Sequence, residues 1–191
     1  MSQTHTSHAA HRQRLIEIIK QRSYLEGGPF TLASGRTSPF YINMKPTMMH
    51  AEGAHLIGHL IVDALTGLNA DFVGGLEVGA IPMAAATGAV SFARGCQVGT
   101  FFIRKAVKDH GTKSLVEGLP KGETLKGRNV VILEDTTTTG ESPLKAVAAA
   151  RAEGANILRI ITIVDRLEGA AEAIRAAGLV YTPLLTVADL R

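Results

Sequence analysis

The stretch Val130-Val131-Ile132-Leu133-Glu134-Asp135-Thr136-Thr137-Thr138-Thr139-Gly140-Glu141-Ser142-Pro143-Leu144-Lys145 decides the fold. Its first four residues form a short, β-prone apolar run, the signature of a strand buried on both faces of a parallel sheet. Glu134 and Asp135 follow at the carboxyl end of that strand, where open α/β sheets place their ligands. Thr136 to Gly140 supply hydroxyls and backbone N–H groups in a loop that closes at a helix N-terminus, a natural phosphate cradle. Ser142 is placed to cap the helix, Pro143 to take its first position and Gly154 to end it. Adjacent carboxylates would repel a bare phosphate. They make sense gripping ribose hydroxyls while the neighbouring loop holds a 5′-phosphate. The alternative is a strand end with solvated acids and a Thr-rich turn, which does not account for strand, acids, loop and helix start falling in this order.

The same alternation extends outward. Residues 11–23 carry Leu15, Ile16, Ile18 and Ile19 among Arg, Gln and Lys, an amphipathic helix. Gly27-Gly28-Pro29-Phe30 and Thr31 to Arg36 read as turns and short strands. A helix is expected over about 51–65, a strand over 71–76 and a small-residue helix over 81–91. Further strands are expected over 98–103 and 157–164, and helices over 143–153 and 167–177. Strands alternating with helices imply an α/β fold with a mainly parallel central sheet.

Bulk properties fit one domain over residues 1–191, with residues 1–10 as a loose tail. Hydrophobic residues make up 46% of the chain, too many for a disordered one. A net charge of +3 asks for no nucleic-acid partner. The lone Cys96 cannot form an internal disulfide, as expected for a reducing compartment. The N-terminus lacks the apolar core of a signal peptide, and no run approaches the ~20 apolar residues of a membrane span. A cytoplasmic location is the expectation.

Glu134 to Ser142 resembles the phosphoribosyl diphosphate (PRPP) signature of the type I phosphoribosyltransferases. Three further segments resemble the orotate phosphoribosyltransferases in particular. They are Phe30-Thr31-Leu32-Ala33-Ser34-Gly35-Arg36-Thr37-Ser38-Pro39-Phe40-Tyr41, Gly75-Leu76-Glu77-Val78-Gly79-Ala80-Ile81-Pro82, and Phe102-Ile103-Arg104-Lys105-Ala106-Val107-Lys108-Asp109-His110-Gly111. With the signature they carry the resemblance from about residue 15 to residue 191. It implies the type I phosphoribosyltransferase fold: a central, mainly parallel sheet flanked by helices, with a small N-terminal hood in the helix and hood elements of about residues 11–45. It also implies a mobile basic loop over about 104–118. The implied reaction is orotate plus PRPP giving orotidine 5′-monophosphate and diphosphate, with Mg²⁺ held mainly through substrate oxygens and water and no metal ligated directly by the protein.

The residues that the resemblance assigns to PRPP are Arg104, Lys105, Lys108, His110, Glu134, Asp135, Thr136, Thr137, Thr138, Thr139, Gly140, Glu141 and Ser142. Lys105, Lys108, His110, Glu134 and Asp135 carry the catalytic expectation. Arg104, Lys105, Lys108, His110 and Lys113 also stand on their own chemistry, since cations at that density suit a leaving diphosphate. Read alone, a basic run is as well explained by a solvated loop. In the family the loop comes from the neighbouring subunit, which implies a homodimer. Thr138 and Arg166 are the orotate contacts, and Arg is the natural bidentate partner of a carboxylate. A pairing of Arg166 with Asp165 or Glu168 is the competing reading.

The chain departs from the family in three places. Ala33 and Gly79 stand where relatives carry Lys, with Lys45 a candidate substitute for the former. Glu134 stands where many members have Asp. Other features read as structural. His55 and His59, four apart on a helix, lack a third ligand; Cys96 lacks a nearby base; and Met44, Met48 and Met49 read as packing. The rival functions are phosphoribosyl transfer to another base and a non-catalytic nucleotide- or RNA-binding regulator on the same fold.

Overall fold

The structure is a computed structural model that describes residues 2–31, 37–106 and 114–191. Helix α1 (Ser2–Arg22) leads into an antiparallel hairpin, β1 (Tyr24–Thr31) and β2 (Thr37–Ile42), which forms a separate two-stranded sheet. A short α2 (Lys45–Met48) and α3 (Ala51–Leu65) follow. The rest alternates: β3 (Phe72–Leu76), α4 (Ala80–Ala93), β4 (Gly99–Ile103), β5 (Val116–Glu117), β6 (Asn129–Thr137), α5 (Glu141–Ala152), β7 (Asn156–Asp165), α6 (Ala170–Ala176) and β8 (Tyr181–Thr186). A 3-10 turn, Val187–Leu190, comes last.

The main sheet has the order β5-β4-β3-β6-β7-β8, parallel throughout except for β5 on β4. Strand β6 shows why it sits at the centre. Val130 and Ile132 join one apolar cluster with Phe101, Val147, Ala150 and Ile174, while Val131 and Leu133 join the other with α1, α3 and the hairpin. Period-two alternation thus feeds both faces of a two-sided sheet, and all four side chains are fully buried. Successive strands run outward from β3 in one direction and from β6 in the other. The order reverses between these two neighbours, and the crevice at their carboxyl ends is where such sheets take ligands.

Several sequence expectations shift. Residues 2–10 are helical rather than a loose tail. Two long-range pairs tie α1 to the rest of the fold, His8 Nδ1 with Asp63 Oδ2 at 2.8 Å and Arg12 Nη2 with Asp189 Oδ1 at 2.7 Å. Such partners are invisible to a local reading. Strand β6 continues past Leu133 through both acids to Thr137, because β7 runs alongside to Asp165. Helix α5 begins at Glu141, with left-handed Gly140 as its N-cap. Ser142 and Pro143 therefore lie inside the first turn, and Ser142 is not the cap. Strand β8 carries no strong sequence signal, since Pro183 interrupts it, yet it completes the edge beside β7. Met44 and Met48 pack in the core as expected, whereas Met49 is exposed.

Candidate active site

Strands β3 and β6 end side by side, each followed by a turn into a helix. The β6 end carries the acids. Asp135 Oδ1 accepts the Thr136 amide at 2.9 Å, and its carboxylate faces Gly79 at the start of α4. A Cβ on Gly79 would fall 2.9 Å from Asp135 Cγ and Oδ1. The space beside Gly79 is filled here by the Asp135 carboxylate. Gly75 is as tightly placed, since a Cβ there would lie 2.1 Å from the Leu133 carbonyl oxygen. Glycine at both positions lets the β3 turn press against β6.

Glu134 is the least satisfied group of the site. Its Oε2 is buried and makes no hydrogen bond among the described residues. Burial, and then the neighbouring Asp135 carboxylate, push its carboxyl well above the usual carboxylate range, with Lys105 pulling weakly the other way. An orphaned, partly protonated acid beside a second acid lacks a cation and hydroxyl donors. Both Mg²⁺, which takes oxygen ligands, and a ribose diol fit that donor set.

The loop after β6 presents its backbone. The Thr139 and Gly140 amides donate to no acceptor among the described residues, and the Glu141 and Ser142 amides head α5, where helix geometry leaves them open. Gly140 (φ 84°) allows the turn, and a Cβ added there would lie 3.4 Å from Ala170. Thr137 differs from its neighbours. Its side chain is buried, and its hydroxyl bonds to the Tyr181 hydroxyl and donates to Asp165 Oδ1 at 3.5 Å. Its side chain is thus turned away from the open loop.

At the end of β7, Arg166 is buried against the hairpin. Its Nε and Nη2 each lie 2.8 Å from Glu168 Oε1, and Nη2 also donates to Ser38 Oγ at 3.3 Å. Its guanidinium stacks on Phe40, 4.4 Å from the ring centroid. The Arg166 amide donates to the Thr137 carbonyl at 3.0 Å, which ties the two strand ends together. The pairing with Glu168 that formed the competing reading is present. The Asp165 carboxylate instead caps the turn through the Leu167 amide, at 2.9 Å.

The base of the basic segment is anchored. Arg104 donates from its amide to the Leu115 carbonyl at 2.9 Å and pairs with Glu117 at 3.4 Å, and the Lys105 amide donates to Glu77 Oε1 at 2.9 Å. Lys105 is exposed at the end of β4, close enough to act on Glu134. Lys108, His110 and Lys113 lie outside the described residues, as does Ala33. Lys45 is exposed in the first turn of α2.

Sequence reasoning missed Glu77, Ser38, Phe40 and Tyr181 as partners within the site. Only Glu168 had a local signal, its spacing of two from Arg166. Away from the site, His55 and His59 meet His11, with ring centroids 4.4 Å apart for His55–His59 and 4.9 Å for His11–His59. Among the described residues no group of three or more His, Cys, Asp or Glu is arranged to hold a metal ion.

Comparison with known proteins agrees with this geometry. Residues 47–176 match the phosphoribosyl transferase domain. An orotate phosphoribosyltransferase of Bradyrhizobium diazoefficiens is 50% identical over 183 residues, 96% of this chain and 97% of the relative. One from Rhodopseudomonas palustris is 49% identical with the same coverage. Among solved structures, the Mycobacterium tuberculosis orotate phosphoribosyltransferase in complex with Fe(III) dicitrate superposes with a TM-score of 0.81 at 38% identity, covering 94% of this chain and 98% of that one. The same enzyme in complex with PRPP gives a TM-score of 0.77 at 36% identity, again covering 94% and 98%. By domain, by near full-length identity and by structure, this chain belongs to the orotate phosphoribosyltransferase family.

Proposed function

We infer that the protein transfers the 5-phosphoribosyl group of PRPP to orotate, giving orotidine 5′-monophosphate and diphosphate, a pentosyl transfer in pyrimidine biosynthesis. The observation that carries this is the buried Glu134 carboxylate beside Asp135, one oxygen of which has no hydrogen-bond partner, next to a loop of open amides where the sheet order reverses.

Glu134 and Asp135 hold the ribose 2′- and 3′-hydroxyls, whose donors meet the acceptor left orphaned in the free protein. The Thr138 to Ser142 loop binds the 5′-phosphate through amides and the Thr138, Thr139 and Ser142 hydroxyls, at a helix start that favours anions. The anomeric carbon becomes cationic as its bond to diphosphate lengthens, and the paired carboxylates stabilise that charge. Lys105, with Arg104, Lys108 and His110 on the same segment, stabilises the departing anion. The Arg166 guanidinium takes the orotate carboxylate, and Thr138 contacts the base. Mg²⁺, held mainly through substrate oxygens and water beside Glu134 and Asp135, would supply charge neutralisation to the diphosphate.

The protein works as a homodimer in the cytoplasm, the basic segment reaching the neighbouring subunit's site. The match of residues 102–111 to the family motif supports the first point. Among the described residues no helix is long and apolar enough to cross a membrane, which is compatible with the second.

The test is orotate absorbance in a mixture of purified protein, PRPP and Mg²⁺, with uracil and hypoxanthine as parallel acceptors. Orotate consumption that needs both PRPP and Mg²⁺, with the other bases untouched, is expected. Use of hypoxanthine instead would move the assignment to another base. PRPP binding without turnover of any base would favour a non-catalytic regulator.

A further inference from the structure

The ion pair at Arg166 has a direction. The arginine side chain is 5% exposed and the Glu168 side chain 26% exposed, so the carboxylate is the more accessible member of the pair. Phe40 covers one face of the guanidinium and Ser38 takes Nη2 from the hairpin side. An anion arriving from outside therefore finds Arg166 already engaged by a carboxylate. The turn that presents Glu168 is unusual. Leu167 before it is left-handed (φ 60°), and Gly169 after it is left-handed as well (φ 106°). A left-handed leucine is strained and persists only where surrounding contacts over-determine it. Here the Asp165 carboxylate, itself buried, holds the Leu167 amide at 2.9 Å.

We propose that Glu168 is a built-in stand-in for the substrate carboxylate: it neutralises Arg166 in the free enzyme and is displaced when orotate binds, which makes it a specificity-determining residue for the base. This rests on the reading that Arg166 receives orotate. A buried guanidinium with no anion is strongly disfavoured, so the empty site needs a carboxylate of its own. Orotate brings an equivalent group and exchanges one ion pair for another. A base without a carboxylate offers nothing in exchange and leaves Glu168 in place, which is discrimination by a competing state.

The experiment is a double-mutant cycle on the full-length enzyme, with Arg166→Gln, Glu168→Gln and the double variant, reading KM for orotate and for PRPP separately. Glu168→Gln is expected to lower KM for orotate about fivefold, the range of a partly exposed competing pair, and to leave KM for PRPP unchanged. Arg166→Gln is expected to raise KM for orotate, and in that background Glu168→Gln is expected to have no further effect. A rise or no change in KM for orotate in Glu168→Gln would overturn the proposal, making Glu168 an orienting group or a bystander. An equal fall in KM with and without Arg166 would also overturn it, since general charge repulsion needs no displacement. Should Arg166→Gln leave KM for orotate untouched, the assignment of Arg166 itself fails, a distinct result. Glu168→Asp keeps the charge but shortens its reach, and carries the test if Glu168→Gln does not fold. A smaller fall in KM for orotate is expected there, and a rise overturns the proposal.

Discussion

Strands β6 and β7 lie side by side in parallel register, and both end in ionisable residues, yet the two ends are opposites. At the end of β7 every charge that the structure displays has a partner. Asp165 caps a turn and accepts from Thr137, and Arg166 holds Glu168, Ser38 and the face of Phe40. At the end of β6, Glu134 has a buried oxygen with no partner and a second carboxylate beside it. The lesson is that the two ends store their requirements differently. One arrives folded with a substitute ligand in place. The other keeps an unmet requirement until substrate supplies hydroxyls and a cation. Polar groups that folding leaves unsatisfied are the ones that binding can reward.

The contrast can be broken most forcefully at Glu134. Glu134→Gln keeps the shape and removes the charge, and turnover should fall about a hundredfold, the scale of losing one transition-state charge contact. A variant with unchanged kcat/KM would mean the buried acid is not part of the chemistry. Next in size is the opposite end. Arg166→Gln removes the buried cation that pairs with Glu168 and stacks on Phe40, and urea unfolding of the substrate-free protein should show a loss of about 2 kcal/mol. Equal stability would show that the β7 end is not the satisfied one.

The sharper form of the comparison is a change of sign. Because the Glu134 carboxyl is raised in the fold, the native chain keeps a proton that the unfolded chain has released once pH passes the ordinary glutamate range. Stability is therefore lost as pH climbs through that window toward the raised value. Glu134→Gln removes the loss. The substrate-free variant should be more stable than the parent by about 1 kcal/mol at pH 7 and no more stable at pH 4. Thermal midpoints at the two pH values read this directly, and a variant less stable at pH 7 would contradict the orphaned-acid picture. The smallest expected effect is at the seam between the strands. Tyr181→Phe removes the hydroxyl that engages Thr137, and should lower stability by about 0.5 to 1 kcal/mol while turnover is kept. A large loss of turnover would connect that buried hydroxyl pair to the phosphate loop.

The local pattern of the chain was enough for the frame. Val130 to Leu133 read as a buried strand, the acids and the Thr/Gly loop as a ligand-binding strand end, and Gly154 as the end of α5. Each of these signals lies within a few residues, where backbone preference and period-two alternation act. The resemblance of four separated segments then selected the family. Other features were decided only by tertiary structure, because each depends on partners far away in sequence. Helix α1 is tied through His8 to Asp63 and through Arg12 to Asp189. Strand β6 runs on through the acids because β7 is long. Gly79 is closed off by Asp135, Thr137 is turned toward Tyr181, and Arg166 is held by a hairpin 128 residues earlier. The burial of a Glu134 oxygen without a partner is likewise a relation among elements. The sequence by itself determined which groups stand at the strand ends. Which of them are satisfied was decided by packing, since desolvation exists only once the layers have closed.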